Sequence, residues 1–131
     1  MGGIEMLYVI LAGIAGWIWG AIWYSIMAKP WMTDVGLTEE TINRKNPVPY
    51  IAAVVFAILC AGMIRHVFVS SGVDTLAKAI MSGAGLGLFV AAPWLATNYL
   101  FAQRPTRLIF IDAVYAIGGC LAISIVLSFG F

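Results

Sequence analysis

The sequence predicts an all-α integral membrane protein, with four transmembrane helices in a compact bundle and the third helix kinked near Pro93. Three observations predict it. Of the 131 residues, 63% are hydrophobic and 10% charged, whereas a soluble domain carries about 25% charged residues. Four apolar runs each reach the roughly 20 residues that cross a hydrocarbon core of about 30 Å. No run alternates apolar and polar residues over a strand length, which argues against a β-barrel. The same composition excludes a soluble globular fold, a disordered chain and a disulfide scaffold. With seven basic and six acidic residues the net charge is only +1, which excludes a nucleic-acid partner.

The spans follow in chain order as about residues 4–27, 48–69, 76–101 and 106–129, within a single four-helix transmembrane domain over 1–131. Span one carries no charge after Glu5. It lacks the basic flank of a cleaved signal and is too long for one. Gly2 could be read as a lipidation site, but Met6 stands where the pattern needs Ser or Thr. Span two has Arg65 and His66 near its far end. Span three contains Pro93, which frees a backbone carbonyl one turn earlier, near Phe89. Span four contains Asp112.

Loop charges set the orientation. Lys29, Arg44, Lys45, Arg104 and Arg107 fall on one side, Arg65 and Lys78 on the other. The five-residue side is expected to face the cytoplasm, with both termini outside. In the cytoplasmic loop 28–47, Thr38-Glu39-Glu40-Thr41 resembles a helix start and Asn46-Pro47 a stop, so a short surface helix is expected over 38–45.

Burial alone does not hold helices together in lipid, whereas small residues four apart let backbones approach. Such stripes are Ala12, Gly16 and Gly20 in span one, and Ala79, Gly83, Gly87 and Ala91 in span three. Span four has Ala116, Cys120, Ser124 and Ser128. Gly16, Gly20, Gly83 and Gly87 are the expected packing glycines, facing either the other helices or a second copy of the chain. There is also an internal echo. Trp19, Tyr24, Lys29 and Pro30 recur with the same spacing as Trp94, Tyr99, Arg104 and Pro105. This pattern fits a parallel repeat, or aromatic and basic residues collecting independently at one interface.

Asp112 is the main candidate for chemistry, because acids inside a membrane are costly and face the bundle interior. It lies roughly 8 Å along its helix from Arg107. Asn98 is expected at a similar depth on span three, Tyr115 shares the face of Asp112, and Tyr24 approaches from span one. The expected polar cluster is therefore Asp112, Asn98, Tyr115, Tyr24 and one of Arg104 or Arg107. It would act as a clamp between spans three and four, or as a proton, ion or headgroup site. Glu5 reads as an interfacial acid, unlike the deeply embedded Glu of small multidrug-resistance exporters. His66 is the only histidine, and Cys60 and Cys120, both expected near mid-membrane and close enough to consider together, are read as free thiols acting as small hydrophobes and not as a disulfide. No metal, cofactor or catalytic set is expected.

Several segments together resemble a family of small four-helix bacterial membrane proteins classed as a domain of unknown function. They are Gly20-Ala-Ile-Trp23-Tyr24-Ser25, Lys29-Pro30-Trp31-Met32, Gly36-Leu37-Thr38, Thr97-Asn98-Tyr99-Leu100-Phe101, Arg104-Pro105 and Asp112-Ala113-Val114-Tyr115. The resemblance implies a bacterial inner-membrane location and no known activity. The expected function is a structural or accessory membrane protein, not an enzyme. It would be surrounded by membrane lipids and would form a homo-oligomer or join a larger membrane complex. The alternative is a small transporter or channel with a polar site near Asp112.

Overall fold

Proline or glycine caps four of the helix ends in the computed structural model, which describes residues 3–131. Gly2, the position considered for lipidation, lies outside the described residues. Five helices make up the described chain: α1 (Gly3–Ile26), α2 (Ala28–Val35), α3 (Val48–Ser71), α4 (Leu76–Phe101) and α5 (Thr106–Ser128). All but α2 are long and apolar enough to cross a membrane.

Helix α3 stops at Gly72, whose φ of 71° is the left-handed conformation that glycine adopts without a Cβ clash. Thr75 starts α4 by accepting the Lys78 N–H on its hydroxyl at 3.2 Å. The α4–α5 turn uses a left-handed Gln103, with φ 60°. The Arg104 N–H then closes onto the Tyr99 carbonyl at 2.9 Å, and Pro105 follows immediately.

The short helix in the first loop is α2, not the expected 38–45. Pro30 sits in its first turn, where a missing N–H costs nothing. It ends at Gly36, with φ 80°. Residues Thr38 to Thr41 form one turn only. The two threonines satisfy each other there: the Thr38 N–H donates to the Thr41 hydroxyl at 2.8 Å, and the Thr41 N–H to the Thr38 hydroxyl at 3.3 Å. A single turn must then propagate to survive. Instead Asn43 accepts the Lys45 N–H and Asn46 accepts the Val48 N–H on their side chains, each at 3.1 Å. These local bonds compete with a helix.

Helix α4 changes pitch before Pro93. Residues 87–91 form a π turn, in which the Ala92 N–H reaches back five residues to the Gly87 carbonyl. The Thr97 hydroxyl donates to the Pro93 carbonyl at 2.9 Å. A π turn holds one residue more than an α turn, which matters below for what α4 presents to its neighbour.

Helix α5 is the hub. Helices α1 and α4 pack along it, and α3 packs on α1 and on α5. The apolar core joins Val9 and Ala12 of α1, Ala61, Ile64 and Phe68 of α3, Ala79 of α4, and Ile123 and Leu127 of α5. Glycines make the crossings possible. A Cβ at Gly87 would sit 2.5 Å from the Ile117 Cα, one at Gly20 2.6 Å from the Tyr115 ring, and one at Gly16 3.1 Å from Ile123. At Gly83 it would overlap Ser124, itself fully buried with its hydroxyl donating to the Cys120 carbonyl at 2.7 Å. All four glycines therefore face α5 of the same chain. Gly13 adds a fifth close approach, 2.7 Å from the Ile58 Cα of α3.

Gly83→Ala or Gly87→Ala is expected to lower stability by about 1–3 kcal/mol through overpacking. Gly85→Ala, where a Cβ meets nothing within 4 Å, is expected to be neutral. Thermal unfolding of the three variants in one detergent checks the contrast.

Candidate functional site

Asp112 is only 6% exposed, and two tyrosines use both of its oxygens. The Tyr24 hydroxyl, near the end of α1, donates to Oδ1. The Tyr99 hydroxyl, near the end of α4, donates to Oδ2. One carboxyl thus joins three of the four long helices. Tyr115 does not bond to it. Its ring packs against Tyr24, with centroids 5.1 Å apart, and over Gly20.

Two indoles set the register of α1 on α5. The Trp23 N–H donates to the Ile111 carbonyl at 2.8 Å, and the Trp19 N–H to the Tyr115 carbonyl at 3.0 Å. Donors and acceptors are each four residues apart, and the two rings stack with centroids 5.7 Å apart. A carbonyl has two lone pairs, so each can serve its own helix and an indole together. Trp19 also covers Gly118, where a Cβ would strike the ring. This register sets Tyr24 beside Asp112.

Several expected members lie elsewhere. Asn98 and Arg104 are exposed. Arg107 turns away from Asp112 and forms a two-point ion pair with Asp34 of α2, at 2.7 and 2.9 Å, with a further bond to the Pro30 carbonyl at 3.3 Å. The expected Asp–Arg and Asp–Asn pairings are thus replaced by Asp–Tyr pairings. The loop acid Asp34 is nearer to Arg107 and offers it a planar carboxylate fork. That hydrogen-bonded guanidinium holds the Asp34 carboxyl below its ordinary value of 3.8.

Tyr99 takes the place of Asn98 because of the π turn. In a regular helix each residue turns about 100°, so Asn98, eleven residues after Gly87, would share its face to within about 20°, and Tyr99 would lie about 120° round. The extra residue held in 87–91 shifts the inward position by one, to Tyr99. The signal in the sequence was the echo, which places Tyr24 and Tyr99 at equivalent positions. The likeness stops there, since Trp19 is hydrogen-bonded and Trp94 is 71% exposed. His66 and Cys60 are exposed, and both cysteines are free.

Fold and site together define a class: a small four-span helical protein in which a buried acid, Asp112, ties three helices. Residues 7–128 match a family described as protein of unknown function (DUF1761), and the chain belongs to that family. No curated protein and no solved structure matches it.

Removing Val90 is expected to convert the π turn into an ordinary one and leave Tyr99 on Asp112. Inserting an alanine after Val90 is expected to turn Tyr99 about 100° away. The deletion variant should therefore keep its sensitivity to Tyr99→Phe in thermal unfolding, and the insertion variant should lose it.

The Asp34–Arg107 pair has its own pH signature. Because the folded carboxyl titrates low, the pair's contribution is fully present above about pH 4 and is lost as pH falls through the folded value. Unfolding measured from pH 7 to 2 should show that loss in the parent chain and not in Asp34→Asn.

Proposed function

We propose that this chain is a structural or accessory membrane protein, without catalytic activity, in which the Tyr24–Asp112–Tyr99 unit is a three-helix clamp. The observation that carries this reading is that both oxygens of Asp112 accept from tyrosines on two other helices. An acid that loads and releases a cation or proton during transport needs an open face. This one is enclosed by Tyr24, Tyr99 and the α1–α5 crossing. The clamp supports a fixed scaffold, and the apolar outer surface, including Phe89, Trp94 and Phe101 of α4, is offered to lipid and to other membrane proteins, a further copy of the chain among them. The loop charges favour both termini outside and α2 with its loop in the cytoplasm. The resemblance favours a bacterial inner membrane.

The test compares stability with flux. Tyr24→Phe and Tyr99→Phe should each cost about 1–2 kcal/mol, at the upper end for hydrogen bonds between membrane helices. The double variant should be non-additive with Asp112→Asn, because all three residues form one unit. Proteoliposomes of the parent chain should pass protons and monovalent cations no faster than empty vesicles. If the parent carries a pH-dependent flux that Asp112→Asn abolishes while remaining folded, the transporter reading replaces the clamp.

A further inference from the structure

The opposite end of the bundle carries a second polar site that the clamp does not use. A cavity of about 230 Å³ opens between the start of α1, the later turns of α3 and the end of α5. Its walls are mostly apolar, with Phe68 and Val69 from α3 and Leu127 from α5. Two side chains of opposite charge also line it, Glu5 from α1 and Arg65 from α3, with Tyr8 beside them. Glu5 and Arg65 form no salt bridge with each other among the described residues. The Oε2 atom of Glu5 is shielded from solvent and has no hydrogen-bond partner among the described residues.

That oxygen calls for a donor, because a shielded carboxylate oxygen left without a hydrogen bond is costly. A metal ion is a poor candidate, since one carboxylate is too few ligands for a hard cation. An ammonium group fits better, as a compact charge with three N–H donors. Arg65, on the other wall, provides the fork that suits a phosphate. A cation site and an anion site in one cavity, with apolar walls at the end of a bundle of membrane-span helices, match a zwitterionic lipid headgroup.

We propose that the Glu5–Arg65 cavity binds the headgroup of an ethanolamine phospholipid, with the primary ammonium on Glu5, the phosphate on Arg65 and the acyl chains passing over the exposed Val69. The primary amine is the distinguishing element. A choline headgroup has the same charges, but its quaternary nitrogen has no N–H to donate to Oε2. A glycerol headgroup offers a phosphate and no cation.

The experiment uses the full chain, purified in detergent, stripped of lipid and titrated with ethanolamine, choline or glycerol phospholipids of identical acyl chains, with bound lipid counted by native mass spectrometry. The parent chain should retain the ethanolamine lipid at least fivefold over the other two. Glu5→Gln should lower ethanolamine retention to the choline level, and Arg65→Gln should weaken the ethanolamine and choline lipids alike. Asp112→Asn, at the other end of the molecule, should leave the preference unchanged, which keeps this test independent of the clamp. Equal retention of the ethanolamine and choline lipids by the parent chain overturns the proposal. So does a Glu5→Gln variant of parental helix content that keeps the preference. If Glu5→Gln does not fold, the comparison of lipids on the parent chain decides alone.

Discussion

The architecture depends on how closely backbones approach α5. In a bilayer, helices gain little by hiding apolar side chains from one another, because lipid is equally apolar. What remains is van der Waals contact, which is strong only where backbones nearly touch, and a few interhelical hydrogen bonds. Gly16 and Gly20 bring α1 onto α5, and Gly83 and Gly87 bring α4 onto it. Ser124 fits at the α4 crossing because its hydroxyl is satisfied within its own helix. With bulkier residues at these positions, Trp19 and Trp23 would be held too far off to reach the α5 carbonyls, and Tyr99 too far from Asp112.

The polar bonds between helices are unevenly distributed along the molecule. The indole bonds, the tyrosine clamp and the Arg107–Asp34 pair gather toward the end that carries α2. The other end is held by Val9, Ala61, Ile64, Phe68 and Leu127, apolar contacts with little directionality. It also contains the cavity flanked by Glu5 and Arg65. One end is thus tied mainly by directional bonds and the other mainly by apolar packing around a cavity.

Much of this was legible in the sequence, and the reasons for the rest are specific. Four apolar runs of span length announce four helices, because the thickness of the hydrocarbon core fixes the length needed. Asp112 stands out because charge is so rare inside these runs. Depth along a helix was also readable, since the rise per residue is constant, and Asn98 and Tyr99 are close in depth. Azimuth was not readable. One additional residue held in 87–91 rotates everything beyond it, and no residue type there marks a π turn. The partner of Arg107 was hidden for a different reason. Asp34 belongs to a helix separated from α1 by Met27 alone, and the stronger helix-start signal in this loop lies at Thr38. That start fails because Asn43 and Asn46 bond locally to the backbone that would have continued it.

The position of the hub in the chain has a consequence for biogenesis. Helix α5 emerges from the ribosome after the other four helices, yet α4 has its main packing surface on α5 alone among the long helices. Helices α1 and α3 can pair through Gly13 and Ile58 while synthesis continues, but α4 enters the bilayer with its glycine face uncovered. The hydroxyls of Tyr24 and Tyr99 likewise await an acceptor that α5 brings. Closure is therefore a late, largely single event, and a chain stalled or truncated before Asp112 would present two unsatisfied phenols and a bare glycine groove to the membrane's quality-control proteases.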